Sequence, residues 1–249
     1  ATPSYTPTPT IHPTVTAEPT ITNIPEPSAG DAVMRAKDGM MVHYVPAGAF
    51  TMGSQESDIS GFLSQSWCET CEYGWYTDEQ PQRSVKLDSF WIDETEVTNL
   101  MYAKCVSAGN CSAPAKDKSY SRDVYYGSSL FSDYPVIYVT WAQAKQYCQW
   151  VGGYLPTEAQ WEKAARGTDG RVFPWGNSAP SCKTGNYKSN ENYCVADTNQ
   201  VASYSQNVSP YGAYDMAGNV WEWTADWYQS DWYQQASSTN PVGPSSGDG

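Results

Sequence analysis

The sequence has 249 residues, with 14 Lys and Arg against 27 Asp and Glu, so its formal charge is −13 at pH 7 and its pI is about 4.4; that balance argues against nucleic acid as a partner held by bulk electrostatics. Two histidines, His12 and His43, are too few for a multi-histidine metal centre and poorly placed for a Ser-His-Asp triad. Mean hydropathy is −0.59, and apolar runs such as Tyr134–Val139 fall far short of the roughly 20 residues that span a bilayer.

Aromatic usage is skewed, with 11 Trp and 19 Tyr against 5 Phe. Rings that carry a polar atom suit an irregular, loop-rich core or a surface that meets carbohydrate or another ligand.

In chain order, residues 1 to 30 hold eight Thr and seven Pro, a composition that cannot build a core. Residues 1–39 are read as an extended Thr/Pro-rich arm or stalk, and residues 40–249 as the globular part. Within the arm, Thr14-Val15-Thr16 and Thr20-Ile21-Thr22 alternate polar and β-branched side chains as an added edge strand does. The arm is therefore expected to dock on a neighbouring subunit, giving a homo-oligomer or filament through residues 1–30. The opening Ala1-Thr2-Pro3 reads as a mature terminus after signal-peptide removal, and the location as extracellular or cell surface.

Short strands are expected at Met41–Val45, Ala49–Met52, Ser84–Ile92 and Val136–Val139. Thr98 is a helix N-cap, with Gly109 as the stop. Thr140 with Gln143, and Thr157 with Gln160, each make a capping-box pattern. Ala144, Tyr147, Cys148 and Val151 share one face of the first of these two helices, which Gly152-Gly153 terminates. The result is an α+β domain with little regular secondary structure.

Seven cysteines without zinc-finger spacing read as disulfides of an oxidising compartment. Cys68 with Cys71, Cys105 with Cys111, and Cys182 with Cys194 are local couples, and Cys148 is left unpaired. Cys68-Glu69-Thr70-Cys71 lacks the following helix that stabilises a redox-active thiolate, so a structural bridge is the favoured reading. Asn110-Cys111-Ser112 and Asn207-Val208-Ser209 match the glycosylation sequon.

Near the C-terminal end, Asp215, Gly218, Val220 and Glu222 lie on a Gly-containing segment where carboxylates and backbone carbonyls can converge on a hard cation, and calcium suits such a set. The competing reading for Glu222 is a carboxylate paired to backbone N–H groups or to Arg166. Tyr214, Trp221 and Trp223 are expected to pack in the core.

Five stretches in order resemble the formylglycine-generating enzyme, or sulfatase-modifying factor, domain family. They are Tyr44-Val45-Pro46-Ala47-Gly48-Ala49-Phe50-Thr51-Met52-Gly53-Ser54, Glu94-Thr95-Glu96-Val97-Thr98-Asn99, Leu155-Pro156-Thr157-Glu158-Ala159-Gln160-Trp161-Glu162, Phe173-Pro174-Trp175-Gly176-Asn177, and Tyr211-Gly212-Ala213-Tyr214-Asp215-Met216-Ala217-Gly218-Asn219-Val220-Trp221-Glu222-Trp223.

The resemblance implies a C-type-lectin-like fold and structural calcium at Asp215, Gly218, Val220 and Glu222, with Glu96 contributing. It also implies a second calcium at Asn186 and the Tyr187 carbonyl. Family members continue with an Arg-Gly-Gly-Ser-Trp-like strand, an active-site cysteine pair and a Gly-Phe-Arg-Cys-like end, where the partner of Cys148 resides. None of these occurs before Gly249, so the domain is expected to be incomplete at its C-terminus.

Copper-dependent cysteine oxidation needs two thiolates, the ligands that select Cu(I), and no cysteine here carries over to that role. The leading functional expectation is a non-catalytic extracellular structural or binding protein. The alternatives are a copper-dependent formylglycine-generating enzyme with its cysteines beyond Gly249, and the ligand-binding ectodomain of a surface receptor. If the arm drives assembly, deleting residues 1–30 lowers the particle mass seen by light scattering; an unchanged mass refutes the docking role.

Overall fold

The computed structural model describes residues 26–64, 71–189 and 192–247, leaving aside the side chains of residues 62, 189 and 192. The arm up to residue 25 and Cys68 lie outside the described residues, so the expected arm docking and the Cys68–Cys71 pairing have no counterpart below. Cys71 itself is disulfide-bonded.

Three antiparallel strands, β1 (Ala32–Met34), β2 (Met41–Val45) and β5 (Phe90–Asp93), form one sheet in the order β1-β2-β5. β1 pairs Val33 with Val42, so this sheet begins ahead of residue 40, where the sequence places the start of the globular part. Strands β3 (Gly48–Met52) and β4 (Arg83–Leu87) form a second antiparallel pair. β6 (Lys188–Ser189) and β7 (Asn192–Tyr193) make a minimal third. Among the described residues four α-helices complete the framework: α1 (Glu56–Leu63), α2 (Asn99–Ser107), α3 (Trp141–Val151) and α4 (Glu158–Arg166).

The two-residue alternation of β3 and β4 sends Phe50, Met52, Val85 and Leu87 inward, with Phe50 directly opposite Val85. Helix α4 lays Ala159, Ala164 and Ala165 against this layer, and Tyr211, Ala213, Met216 and Tyr233 close the core. Small alanines let the helix backbone come near the sheet. Lys163 on the same helix is 1% exposed, and its ammonium donates to the carbonyls of Pro46 (2.7 Å) and Gly48 (3.1 Å). A buried cation without a carboxylate loses hydration, so its pKa is lowered. A second cluster, Tyr102, Cys105, Cys111 and Tyr147, joins α2 to α3 and contains the Cys105–Cys111 disulfide.

The helix signals act as the sequence indicates. Thr98 Oγ1 accepts the Met101 amide, Thr140 and Thr157 form complete capping boxes, and Gly152 ends α3 at φ 91°.

Two expected strands differ. The run Ser84–Ile92 is two strands in different sheets, divided at Asp88-Ser89, where Asn240 Oδ1 accepts the Asp88 amide (2.8 Å) and Asn240 Nδ2 donates to its carboxylate (2.9 Å). Val136–Val139 is not a strand. Val136 N–H bonds the Val97 carbonyl, but Tyr138 takes a left-handed φ of 58°, which turns the chain out of extended geometry.

Arg35 joins these parts. It donates from Nε and Nη2 to Asp38 (3.0 and 2.7 Å) and from Nη1 and Nη2 to Asp93 (2.7 and 2.9 Å). Tyr147 Oη donates to the same Asp38 carboxylate at 2.6 Å, and Lys104 donates to the Asp38 carbonyl. Burial alone would raise Asp38, but the Arg35 and Tyr147 hydrogen bonds overcome it and hold its pKa below the usual range. Replacing Arg35 by Leu leaves a buried carboxylate without its cation and is expected to cost about 3 kcal/mol. Tyr147→Phe, which removes one bond to a charged acceptor, costs about 1.5 kcal/mol. Urea unfolding measures both, and equal losses would contradict this ranking.

Candidate functional site

The segment from Tyr214 to Trp223 follows the central core and contains no helix or strand. Left-handed residues at Asp215 (φ 55°), Gly218 (φ 95°) and Asn219 (φ 63°) coil it tightly. Gly218 is required, because a Cβ there would stand 2.8 Å from the Asn186 carbonyl oxygen. The Tyr214 amide donates to the Glu94 carbonyl at 2.6 Å, which draws Glu94-Thr95-Glu96 alongside.

Two carboxyls meet at this junction. Asp215 is 2% exposed and Glu96 is 8% exposed. Asp215 Oδ2 accepts the Ala202 amide at 2.6 Å, whereas neither oxygen of Glu96 has a donor in good hydrogen-bond geometry, although the Asn219 side chain is near enough to oppose the rise of its pKa. The pKa of Glu96 is raised well above the carboxylate range, first by burial and then by the charges of Asp215 and Glu222. Burial raises Asp215 too, against the Ala202 amide and a hydrogen bond shared with Glu96.

Glu222 stands at the rim of a cavity and presents surface to it. Loss of hydration from the protein packed behind it, and then Asp215, push it up to about 7, while its Oε2 accepts from Trp161 Nε1 at 2.9 Å. Arg166 bonds Glu162 at 2.6 Å and is not the partner of Glu222.

Among the described residues no group of three or more His, Cys, Asp or Glu side chains is gathered as a ready metal site. The donor chemistry nevertheless fits calcium, which takes backbone carbonyls as readily as carboxylates. A buried Glu96 carboxyl facing Asp215 is favoured by a proton shared between the two or by a cation. The residues that would hold the ion are Glu96, Asp215 and Glu222, with the Gly218 and Val220 carbonyls.

Asn186 and Tyr187 lie beside this segment, and each of the two oxygens expected to bind calcium accepts one hydrogen bond from the chain: Asn186 Oδ1 from the Val195 amide and the Tyr187 carbonyl from the Cys194 amide.

The expectation for the tryptophans is corrected. Trp221 is 102% exposed and Trp223 is 49% exposed; only Tyr214 is drawn inward, to partial burial. The indoles form a ridge between two cavities. One, of about 560 Å³, is walled by Tyr120, Tyr138, Tyr187, Tyr193 and the ridge, with Lys116 over the Tyr138 ring and Lys188 over that of Tyr193. The other, of about 530 Å³, lies between Trp91, Tyr154, Leu155 and Glu222 and has Cys148 in its wall.

Cys148 is the free cysteine of the described residues, and burial, followed by the charge of Asp93, pushes its thiol up to about 12. Of the two sequons, Asn207 is 1% exposed and its Nδ2 donates to the Ala217 carbonyl at 2.8 Å, whereas Asn110 is exposed beside the Cys105–Cys111 bridge.

Sequence reasoning missed the Arg122–Asp197 pair (3.3 Å), the strained Tyr138 and the exposed ridge. The first two depend on contacts distant in the chain, and a Trp looks the same in sequence whether it is buried or exposed.

A mixed α+β framework with short strands, few helices and long loops tied by disulfides defines a formylglycine-generating-enzyme-like fold. The family model described as "Sulfatase-modifying factor enzyme 1-like domain" matches residues 29–243, and the chain belongs to that family. The formylglycine-generating enzyme of Thermomonospora curvata is 31% identical over 253 residues, covering 82% of this chain and 78% of that protein. Serine/threonine-protein kinase pkn1 of Chlamydia pneumoniae is 37% identical over 186 residues, covering 68% of this chain and 28% of the kinase. The chain thus spans less than a third of that relative's length. Among solved structures, PvdO from Pseudomonas aeruginosa superposes with a TM-score of 0.64 at 24% identity, covering 87% of this chain and 82% of that one.

The raised carboxyls set a pH dependence. In the absence of a cation, the folded chain keeps protons that the unfolded chain has released. Stability therefore falls as pH rises from about 4.5 to about 7. A calcium ion bound there would favour the ionised forms, and is then expected to raise the melting temperature more at neutral pH than in acid. Thermal melts with calcium or a chelator check this, and Glu96→Gln should flatten the chelated profile.

Proposed function

We propose that this chain is a non-catalytic binding or structural member of its family, working outside the reducing cytosol and stiffened by calcium at Glu96, Asp215 and Glu222. The observation that carries the reading is Cys148. It is the free thiol of the described residues, and a pKa pushed up to about 12 leaves it protonated at neutral pH. Cys71, Cys105, Cys111, Cys182 and Cys194 are disulfide-bonded, so the described residues offer no dithiolate for Cu(I).

The described bridges support an oxidising location. The ridge of Trp221 and Trp223 between two cavities supports binding of a ligand with flat faces, for which carbohydrate is the leading class. A relative named as an inactive formylglycine-generating enzyme, from Bos taurus, is 40% identical over 108 residues, so loss of activity has precedent among similar chains. Assembly through residues 1–30 is part of the same reading.

The second reading, a cysteine-oxidising enzyme, is favoured by the identity to the Thermomonospora curvata protein. It would need a thiol pair outside the described residues.

The two are separated by incubating the full chain with copper, oxygen and a Cys-x-Pro-x-Arg peptide. No aldehyde should form, and iodoacetamide should modify Cys148 at a rate still rising well above neutral pH. Peptide turnover would overturn the non-catalytic reading.

A further inference from the structure

The resemblance to the family that places calcium at Asp215 also places a second ion at Asn186 and Tyr187, and in the structure each of those oxygens already accepts one hydrogen bond from the protein. Asn186 Oδ1 accepts the Val195 amide at 3.0 Å, and its Nδ2 donates to the Asp197 carbonyl at 2.8 Å. The Tyr187 carbonyl accepts the Cys194 amide at 3.0 Å.

The carboxylate of this region, by contrast, is saturated. Asp197 Oδ2 accepts from Ser119 Oγ (2.6 Å), Ser121 N (2.8 Å) and Ser121 Oγ (2.6 Å), and Oδ1 accepts from Thr198 N (2.7 Å). Arg122 Nη1 stands 3.3 Å from Oδ1, and its guanidinium also bonds the Thr198 hydroxyl and carbonyl, both at 3.0 Å. A carboxylate has about four acceptor positions. Here four donated hydrogen bonds and one fixed cation occupy them, and the pKa of Asp197 falls to about 2 although burial opposes the shift.

We infer that the two limbs of this region, residues 182–188 and 193–198, are held together by the Cys182–Cys194 disulfide and the Arg122–Asp197 pair in place of a calcium ion. Their order therefore depends on an oxidised bridge and not on a cation. The disulfide joins the limbs at a Cα separation of 5.1 Å, and the guanidinium supplies the positive charge that a cation otherwise brings.

The limbs also form a wall of the 560 Å³ cavity, through Tyr187, Lys188, Tyr193 and Val195. The shape of that aromatic pocket is consequently under thiol control. Reduction by a dithiol, which is itself oxidised to its disulfide, would give Cys182 and Cys194 one electron and one proton each and release the limbs.

Asn219 complicates the test, because it lies on the Asp215–Glu222 segment and bonds both Asn186 and Asn199. Hydrogen exchange at the Cys194 and Val195 amides should therefore be followed in Glu96→Gln, which impairs the first cation site, as well as in the unmodified chain. In Glu96→Gln, exchange should be the same with calcium as with a chelator. Cys182→Ala/Cys194→Ala, which spares Cys105–Cys111, should speed it about tenfold or more.

Calcium-dependent protection of these amides in Glu96→Gln would overturn the inference, as would unchanged exchange in the double variant. Calcium dependence in the unmodified chain alone would leave it standing and speak for the first site acting through Asn219. If either variant fails to fold, calcium stoichiometry decides: Asn186→Ala should bind as many ions as the unmodified chain, and losing one would overturn the inference.

Discussion

One carboxylate ties the first sheet to α2 and α3. Asp38 sits in the turn between β1 and β2, yet it receives Arg35 from β1's end and Tyr147 from α3, while its own carbonyl receives Lys104 from α2. Arg35 then spans to Asp93 at the end of β5. A chain with short strands and few helices gains little from regular hydrogen-bond ladders, so its elements need fixed points of this kind. Buried ionic groups are expensive to dehydrate, but once paired on every side they admit few alternative arrangements. The same network forms the polar end of the cavity that holds Cys148, and its negative charge is one reason that thiol resists ionisation.

Helix ends were legible in the sequence because capping is local. Thr140 with Gln143, Thr157 with Gln160, and Gly152 each act within a few residues of themselves. The break of the 84–92 run was not legible, because its cause, Asn240, lies about 150 residues further along the chain. Tyr138 carries no mark of its left-handed backbone. The motif around Asp215 was readable as an oxygen-rich loop, and the resemblance brought Glu96 to it. The bonds that Asn186 makes were not legible, since they involve Asp197 and the amide of residue 195, which no short motif contains. The tryptophans were misjudged, because hydrophobicity favours burial on average but does not say which side of a loop a ring occupies.

Two neighbouring segments thus illustrate two ways of holding irregular backbone. Around Asp215, acidic side chains are brought together and their pKa values rise, so the segment favours bound protons. Around Asp197, every oxygen has a donor from the chain itself and the limbs are linked covalently. The two are joined by Asn219, whose amide group and backbone reach Asn186 and Asn199. A solvent-tuned segment therefore rests against a self-sufficient one, and the ridge of Trp221 and Trp223 projects from the former toward cavities on both sides.

The burial of Asn207 bears on how such a chain is made. Its amide nitrogen is committed to the Ala217 carbonyl and the residue is almost wholly enclosed, so an oligosaccharide transferred there would have to arrive before this part of the chain folds. Once attached, it would bar the Asp215 segment from its native path. In a secretory host, Asn207 would then act as a timer: molecules that fold promptly escape modification at that sequon, while those that linger are marked irreversibly as non-native.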